Sequence, residues 1–287
     1  MLFCNEREDN PFSPLIDTVL TFLLALYNGL SGNKLGYSAL NTARSAVSSV
    51  ATVDNLPVGQ HPLTKRFMKA VFNLRPALPK TVNTWDVDIV LEFLRRLQPV
   101  ASICLLDLSR KLVTLLLLLS GQRGQIISLI DIRNISVTNS RLVIRIGDLT
   151  KTSRPNHHQQ ELSFLAYEPD VNLCVVHTYL QYIARTECLR GNTTQLFITT
   201  RPPYKPVSRD TVTRWTKTVL VDAGIDMSVF TPHSVRSAST SKAAEIIPLQ
   251  TVLKTAGWTQ QSTFTKYYKK DCCDKTYDTA ILQGISD

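Results

Sequence analysis

The sequence predicts a mainly α-helical protein with one small antiparallel β-sheet, divided into two domains. Apolar residues recur at helical spacing over most of the 287 residues, whereas apolar and polar residues alternate only within residues 130–165. Residues 75–83 contain two prolines and no apolar periodicity, which is typical of a linker. We therefore predict domains at residues 1–80 and 84–287.

The first domain is predicted to be a small helical bundle. Apolar positions between Leu15 and Tyr27 define one helix, which Gly29 and the turn at residues 31–33 end. A second helix begins near Ser38, and a third follows the proline-containing stretch 57–62. In the third helix we expect three residues to face inward, namely Phe67, Val71 and Phe72.

The second domain is predicted to begin with a helix capped by Thr84 and to continue with a buried helix that holds the apolar run 112–119. This run is shorter than the ~20 residues of a membrane span. Residues 130–137 and 142–146 form a hairpin, with a third strand at 161–165. The remaining helices are expected at residues 171–185, 210–223, 234–245, 249–256 and in a final segment through Tyr267.

Composition indicates the class of partner. The net charge is +9 and the pI is about 9.3, which favours a polyanion. Six cysteines without a Cys-x-x-Cys pair, and no secretory leader at Met1, favour reduced thiols in an intracellular protein. His157 and His158 have no further ligand at a useful spacing, so we predict no metal site there.

One set of residues has the composition of a phosphoryl-transfer site. Arg123 stands in Ser-Gly-Gln-Arg-Gly-Gln, His233-Ser-Val-Arg236 follows downstream, and Trp258 after Gly257 precedes Tyr267 by nine residues. Fixed cations stabilise the charged oxygens of the transition state, a tyrosine supplies a nucleophile, and a lysine supplies a proton. Each residue alone has an ordinary structural explanation, but their order and spacing together favour a site that breaks and rejoins DNA without a metal or other cofactor.

This set resembles the pattern of the tyrosine recombinases, which include phage integrases and the Xer and Cre recombinases. Ser-Gly-Gln-Arg-Gly-Gln, Pro57-Val-Gly-Gln-His-Pro-Leu and Asn73-Leu-Arg-Pro are closer still to the recombinases of DIRS-like eukaryotic mobile elements. The resemblance implies a helical DNA core-binding domain at residues 1–80 and a catalytic domain with a C-terminal tail at residues 84–287. It also implies a site-specific recombinase or integrase that works through a 3′-phosphotyrosyl intermediate.

The resemblance assigns a role to each position. Tyr267 would attack the scissile phosphate, with Tyr268 as the alternative nucleophile. Arg123 and Arg236 would hold the non-bridging oxygens. The other three roles are proton donation to the leaving oxygen, acceptance of the tyrosine proton, and an indole N–H with apolar cover, assigned respectively to Lys151, His233 and Trp258.

Two positions depart from the pattern or stay ambiguous. Many relatives carry an acidic residue three positions after the first arginine, where this chain has Ile126, and Asp131 is the candidate replacement. The lysine assignment is also open, because Arg154 lies close to Lys151 in sequence.

The predicted partner is double-stranded DNA, bound mainly through its phosphates by a homotetramer on two duplexes, with no membrane and no small-molecule substrate. Two alternatives remain: a catalytically silent DNA-binding protein derived from a mobile element, and a type IB topoisomerase. The protein is expected in the nucleus if it comes from a eukaryotic mobile element, and otherwise in the cytoplasm. Candidate DNA contacts are Arg44, Lys65, Arg66, Lys69, Arg209, Arg214 and Lys217.

Overall fold

The structure is a computed structural model that describes residues 2–29, 34–76, 83–148, 161–258 and 260–270. The chain divides into two compact units, residues 1–80 and 81–287. Several sequence predictions lie outside the described residues: the turn at 31–33, the linker residues 77–82, the side chain of Tyr267, the tail after residue 270, and Lys151, Arg154, His157 and His158.

The first unit contains the three helices that the apolar spacing predicts. A short helix α1 (Leu2–Asn5) precedes α2 (Ile16–Asn28), α3 (Tyr37–Ser48) and α4 (Pro62–Leu74). Gly29 ends α2 in the left-handed conformation, with its amide bonded to the carbonyl of Ala25. The core of this unit lies between α2, α3 and α4 and consists of Val19, Leu23, Leu40, Ala51, Val53, Val58, Met68 and Val71.

Two features of the first unit differ from the prediction. A two-stranded ribbon, β1 (Thr52–Val53) and β2 (Leu56–Pro57), joins α3 to α4. Its turn residues Asp54 and Asn55 both have positive φ, as a tight hairpin turn requires. Phe72 does not face inward: it is 50% exposed and packs edge-on against Tyr37 at a centroid distance of 5.4 Å.

The second unit is built around one central buried helix. In chain order its helices are α5 (Val87–Arg96), α6 (Leu105–Ser120), α7 (Gly124–Ser128), α8 (Val175–Thr186), α9 (Arg209–Asp222), α10 (Ser234–Ile246), α11 (Leu249–Ala256) and α12 (Gln261–Tyr267). Helix α6 contains the predicted apolar run and packs against α7, α8, α9 and α10. None of the helices in the described part of the chain combines the length and apolarity needed to cross a membrane.

The sheet of the second unit is antiparallel, with strand order β3 (Ile135–Val137), β4 (Arg141–Arg145) and β5 (Glu161–Leu165). Leu142 pairs with Phe164 and Ile144 with Leu162, and all four side chains are buried on the same face. The predicted hairpin and the predicted third strand are therefore confirmed, although the first strand is shorter than expected.

The start of α5 also differs from the prediction. The residue that caps the helix is Asp86, whose carboxylate accepts a hydrogen bond from the amide of Asp88 at 2.9 Å. Thr84, the predicted cap, is buried two residues earlier. Lys242 also stabilises the start of α5, because it forms ion pairs with Asp86 and Asp88.

A buried cation lies in the core of this unit. Lys111 on α6 is fully buried, and its Nζ donates a hydrogen bond of 2.7 Å to the carbonyl of Leu97, the residue that ends α5. The negative end of the α5 dipole therefore faces this charge. Burial lowers the pKa of Lys111 to about 8, and the charge of Asp170 opposes that shift.

We expect this lysine to make the stability of the protein depend on pH in the alkaline range. The pKa is about 8 in the folded state and 10.5 in an exposed lysine, so the unfolded state binds more protons between these values. The free energy of unfolding contributed by Lys111 therefore rises with pH across that window, by on the order of 2 kcal/mol. Urea denaturation measures the free energy of unfolding of the wild type and of Lys111→Met. The wild-type value minus the variant value should rise from pH 8 to pH 10, and a constant value would contradict the shift.

Candidate active site

The candidate site is organised by the buried side chain of Arg236, which lies in the first turn of α10 and is 1% exposed. Its two terminal nitrogens donate to main-chain carbonyls, Nη1 to Gly121 at 2.5 Å and Nη2 to Ala256 at 2.9 Å. Both carbonyls stand at helix C-termini, those of α6 and α11, where the helix dipole is negative. Burial first and the nearby charge of Arg123 second lower the pKa of Arg236 to about 10, so it stays charged at neutral pH.

Arg123 is placed by the tight loop between α6 and α7. Gly121 ends α6 with φ +60°, and Arg123 is the first residue beyond the loop, directly before α7. Between them, Gln122 is buried, and its amide nitrogen donates to the carbonyl of Thr255 at 2.7 Å. In the described part of the chain, the half-buried guanidinium of Arg123 makes no hydrogen bond or ion pair. It is therefore held close to Arg236 with its donors available to an anion.

His233 immediately precedes α10 at the surface of the unit. The next residue, Ser234, accepts a hydrogen bond of 2.8 Å from the indole of the buried Trp85, which fixes the start of the helix. The Nε2 of His233 lies 3.3 Å from the hydroxyl of Tyr268. Although the residue is exposed as a whole, partial burial of the ring lowers the pKa of His233, and the charges of Arg236, Arg123 and Arg209 lower it further. At neutral pH the imidazole is neutral and one ring nitrogen can accept a proton.

An aromatic layer covers the guanidinium of Arg236. The Cζ atom lies 4.0 Å from the ring centroid of Trp258 and 5.4 Å from that of Tyr268. Trp258 also packs against Tyr268 and Phe264, at centroid distances of 4.7 Å and 5.3 Å. Its indole nitrogen is buried and has no hydrogen-bond partner among the described residues. In this structure Trp258 therefore acts as apolar cover.

The structure brings four of the six predicted site residues together, namely Arg123, His233, Arg236 and Trp258. Tyr267 is the last residue of α12, which leads into this cluster, but its side chain lies outside the described part, as does Lys151. The alternative tyrosine, Tyr268, has its hydroxyl within the cluster.

Asp131, the predicted replacement for the missing acidic residue, has partners outside the site. Asp131 binds Arg133 at 2.7 Å and Thr194 at 2.9 Å, and the hydrogen bonds from Arg133 lower the pKa of its carboxyl to about 2. Ile126, at the position of the acid in many relatives, is buried in the core. The main-chain partners of Arg236 are the helix-terminal carbonyls of Gly121 and Ala256, and the nearby hydroxyl of Tyr268 opposes the lowering of its pKa.

The predicted DNA contacts are mostly exposed cations on two helices. On α9, the exposed cations are Arg209, Arg214 and Lys217, and the first of them is close enough to lower the pKa of His233. On α4 the exposed cations are Lys65, Arg66 and Lys69. Arg44 differs, because its guanidinium donates to the carbonyl of Gly59 at 2.9 Å and thereby joins α3 to the turn before α4.

Arg44, Lys65 and Lys69 line one groove of the first unit, with a volume of about 460 Å³ and with Tyr37 and Phe72 among its other lining residues. The cations of this groove suit a phosphate backbone.

Sequence reasoning missed the residues that support the site. Gln122 contacts a residue 133 positions away, and Trp85 bonds Ser234 across 149 positions. Gln122 and Ser234 lie inside the motifs around Arg123 and Arg236, and Trp85 lies outside them, but no local signal in the sequence indicates the long-range contacts that these residues make.

Comparison with known families agrees with this geometry. The model of the phage integrase family matches residues 93–272, which is more than half of the chain and includes the whole cluster. The chain belongs to the phage integrase family. This is the family of the tyrosine recombinases, so the coarser part of the sequence resemblance is confirmed. No curated protein matches the sequence.

Solved structures of tyrosine recombinases share the fold of this integrase-family chain. One is the XerH site-specific recombinase bound to a palindromic difH substrate (TM-score 0.58, 11% identity, 94% of this chain and 71% of that chain). Others are the Tn1549 transposon integrase with transposon right end DNA (0.58, 14%, 94% and 84%) and a lambda integrase tetramer on a Holliday junction (0.52, 14%, 96% and 70%). At these identities the likeness establishes the fold, which is mainly helical with small antiparallel sheets.

We expect Gly121→Ala to destabilise this unit strongly. A Cβ at this position would lie 2.7 Å from Cγ2 of Thr240, and the φ of +60° is unfavourable for alanine. Gly191 also has positive φ (+49°) but no atom within 4 Å of its Cβ position, so Gly191→Ala is the matched control. Chemical denaturation should show losses of about 3 kcal/mol for Gly121→Ala and about 1 kcal/mol for Gly191→Ala. Equal losses would show that the contact with Thr240 is unimportant.

We also expect the imidazole pKa of His233 in the free protein to lie below its ordinary value of 6.5, because burial and three guanidinium groups disfavour its charged form. Arg209→Gln should raise this pKa by removing one of those charges. Arg214→Gln, on the same helix, is the control and should leave it unchanged. NMR titration of the His233 ring protons measures all three values, and a wild-type midpoint at or above 6.5 would refute the expectation.

Proposed function

We propose that this protein is a site-specific DNA recombinase that cuts and rejoins DNA through a 3′-phosphotyrosyl intermediate. The observation that carries the proposal is the convergence of Arg123, His233 and Arg236 on one point that also holds a tyrosine hydroxyl. Membership of the phage integrase family supports the same activity.

The chemistry follows from the groups present. A phenol hydroxyl at the end of α12 attacks the scissile phosphorus and transfers its proton to neutral His233. Two adjacent tyrosines stand there: Tyr267, which the spacing from Trp258 favours, and Tyr268. The bond from phosphorus to the 5′-oxygen breaks, and Lys151 protonates that oxygen. A new 5′-hydroxyl later reverses the reaction, so the energy of the phosphodiester bond is conserved and no ATP or metal is needed.

The two arginines would stabilise the phosphate oxygens as negative charge grows on them. The half-buried Arg123 has guanidinium donors available, whereas Arg236 is 1% exposed and uses one N–H of each Nη on a carbonyl. We therefore propose that Arg123 makes the principal hydrogen bonds to the phosphate and that Arg236 contributes mainly its charge and the shape of the site.

Binding to the duplex is proposed to use mainly phosphate contacts from both units, with residues 1–80 as the core-binding domain. The exposed cations of α4 and α9 suit this role, so affinity should fall steeply with salt. The lambda integrase neighbour is a tetramer on a Holliday junction, and we propose the same assembly for this protein. From the sequence wording around Arg123 we further propose an origin in a DIRS-like mobile element and a nuclear location.

The activity predicts covalent trapping on DNA. Purified protein incubated with nicked duplexes from the flanks of its own gene should form a DNA-linked species on denaturing gels, in EDTA, with a free 5′-hydroxyl. Arg123→Gln should lower the rate of its formation by about 10²–10³-fold, because a transition-state donor is lost. Arg133→Gln, an exposed arginine bound to Asp131, is the matched control and should react like the wild type.

The other outcomes distinguish the alternatives. DNA that the protein binds without any covalent species would favour the silent DNA-binding protein and contradict the recombinase. Covalent linkage with relaxation of supercoils but no synapsis of two duplexes would favour a type IB topoisomerase.

A further inference from the structure

Two adjacent tyrosines stand at the end of α12, and the structure distinguishes one of them. Tyr268 has its hydroxyl 3.3 Å from Nε2 of His233 and its ring 4.7 Å from that of Trp258. The Cζ of Arg236 lies 5.4 Å from the same ring. The position next to the only imidazole of the cluster among the described residues is therefore filled by Tyr268, ten residues after Trp258.

The main chain around Tyr268 is fixed from the N-terminal side by a buried anchor. Phe264 is 1% exposed and packs against Trp258. Its carbonyl accepts hydrogen bonds from the amides of Tyr268 at 2.8 Å and Lys269 at 2.9 Å, which close the end of the helix. The contact between Phe264 and Trp258 therefore fixes α12 against the aromatic layer that covers Arg236.

A second anchor comes from α10. Ser241 is buried, and its hydroxyl donates to the carbonyl of Tyr268 at 2.8 Å and accepts from the amide of Lys270 at 3.0 Å. It lies on the helix that carries Arg236, so one rigid element positions both the cation and the tyrosine segment. A serine hydroxyl can donate one hydrogen bond and also accept. Ser241 does both here, and it thereby joins the carbonyl of Tyr268 to the amide of Lys270.

We propose that Tyr268 is the attacking residue and that Ser241 is a positioning residue that holds it beside His233. The inference rests on the proposed function and specifies which residue performs it. In the reaction, the Tyr268 hydroxyl loses its proton to Nε2 of His233 and its oxygen bonds to phosphorus. The bond to the 5′-oxygen breaks, and that oxygen takes a proton from Lys151.

The decisive experiment compares Tyr268→Phe with Tyr267→Phe, a matched pair that removes one hydroxyl each. On the nicked duplexes, Tyr268→Phe should reduce the DNA-linked species to background, whereas Tyr267→Phe should keep the wild-type rate within about twofold. Mass spectrometry of the DNA-linked tryptic peptide from the wild type should place the phosphodiester on Tyr268, which decides the assignment even if both variants are inactive.

The failures are distinguishable. Linkage mapped to Tyr267 would overturn the inference and leave the recombinase activity in place. A wild-type protein that binds the DNA and forms no linkage would overturn the proposed function and this inference with it.

The role of Ser241 is tested by Ser241→Ala, with Ser241→Thr to restore the hydroxyl. We expect the alanine variant to form the covalent species about tenfold more slowly, because two hydrogen bonds to the tyrosine segment are lost. The DNA affinity and the melting temperature should stay close to wild type, and threonine should recover most of the rate. Ser239→Ala is the control: that serine is also buried on α10, and among the described residues its hydroxyl bonds only the carbonyl of Arg236 within the helix.

A wild-type rate for Ser241→Ala would overturn the positioning role. So would equal losses for the alanine and threonine variants accompanied by weaker DNA binding, since that pattern indicates a general structural defect.

Discussion

The buried guanidinium of Arg236 is the interaction on which the rest of the site depends. It joins the C-terminal ends of α6 and α11 through two carbonyls, and it lies under the ring of Trp258. The end of α6 leads directly into Arg123, and the end of α11 leads directly into Trp258. One cation therefore sets the spacing between parts of the motif that are more than 100 residues apart in sequence. Removing the guanidinium would leave two buried helix-terminal carbonyls without this hydrogen-bond donor, which costs more stability than the loss of a single hydrogen bond.

Hydrogen bonds from cations to main-chain carbonyls recur elsewhere in this chain, which has 32 lysines and arginines and 23 acidic residues. Lys111 bonds the carbonyl that ends α5, and Arg75 donates to the carbonyl of Tyr27 in the last turn of α2. Arg190 bonds the carbonyls of two residues in the loop that follows it. Carbonyl dipoles accept hydrogen bonds from a buried cation without neutralising its charge. At the site of Arg236 the positive potential is therefore retained, as the proposed phosphate binding requires, whereas a carboxylate partner would cancel part of it.

The fold was predictable where one periodic pattern determines an element, and not where the choice depends on tertiary contacts. The bounds of β5 and α11 agree with the sequence pattern to the residue. The β1–β2 ribbon has strands of two residues, too short for any alternation to be recognised. The cap of α5 was assigned to Thr84 and not Asp86, because both residue types cap helices and only the packed structure shows which is buried. The site follows the same division. Motif spacing indicated the charged residues, and Gln122 and Ser234 lie within those motifs. The long-range contacts of Gln122 and Ser234, and the supporting roles of Trp85 and Ser241, carry no local signal in the sequence.

The choice between two tyrosines shows the limit of counting along a sequence. A spacing rule assumes that every residue up to the last one follows the helical period, so that the residue number fixes the direction of the side chain. Here α12 ends at Tyr267, and Tyr268 has φ −126° and ψ −27°, outside helical geometry. Its direction is set by the bonds that Ser241 and Phe264 make to its main chain. A one-residue shift in the reacting position can therefore arise without any change in the motif upstream, provided that the contacts that fix the end of the helix shift with it.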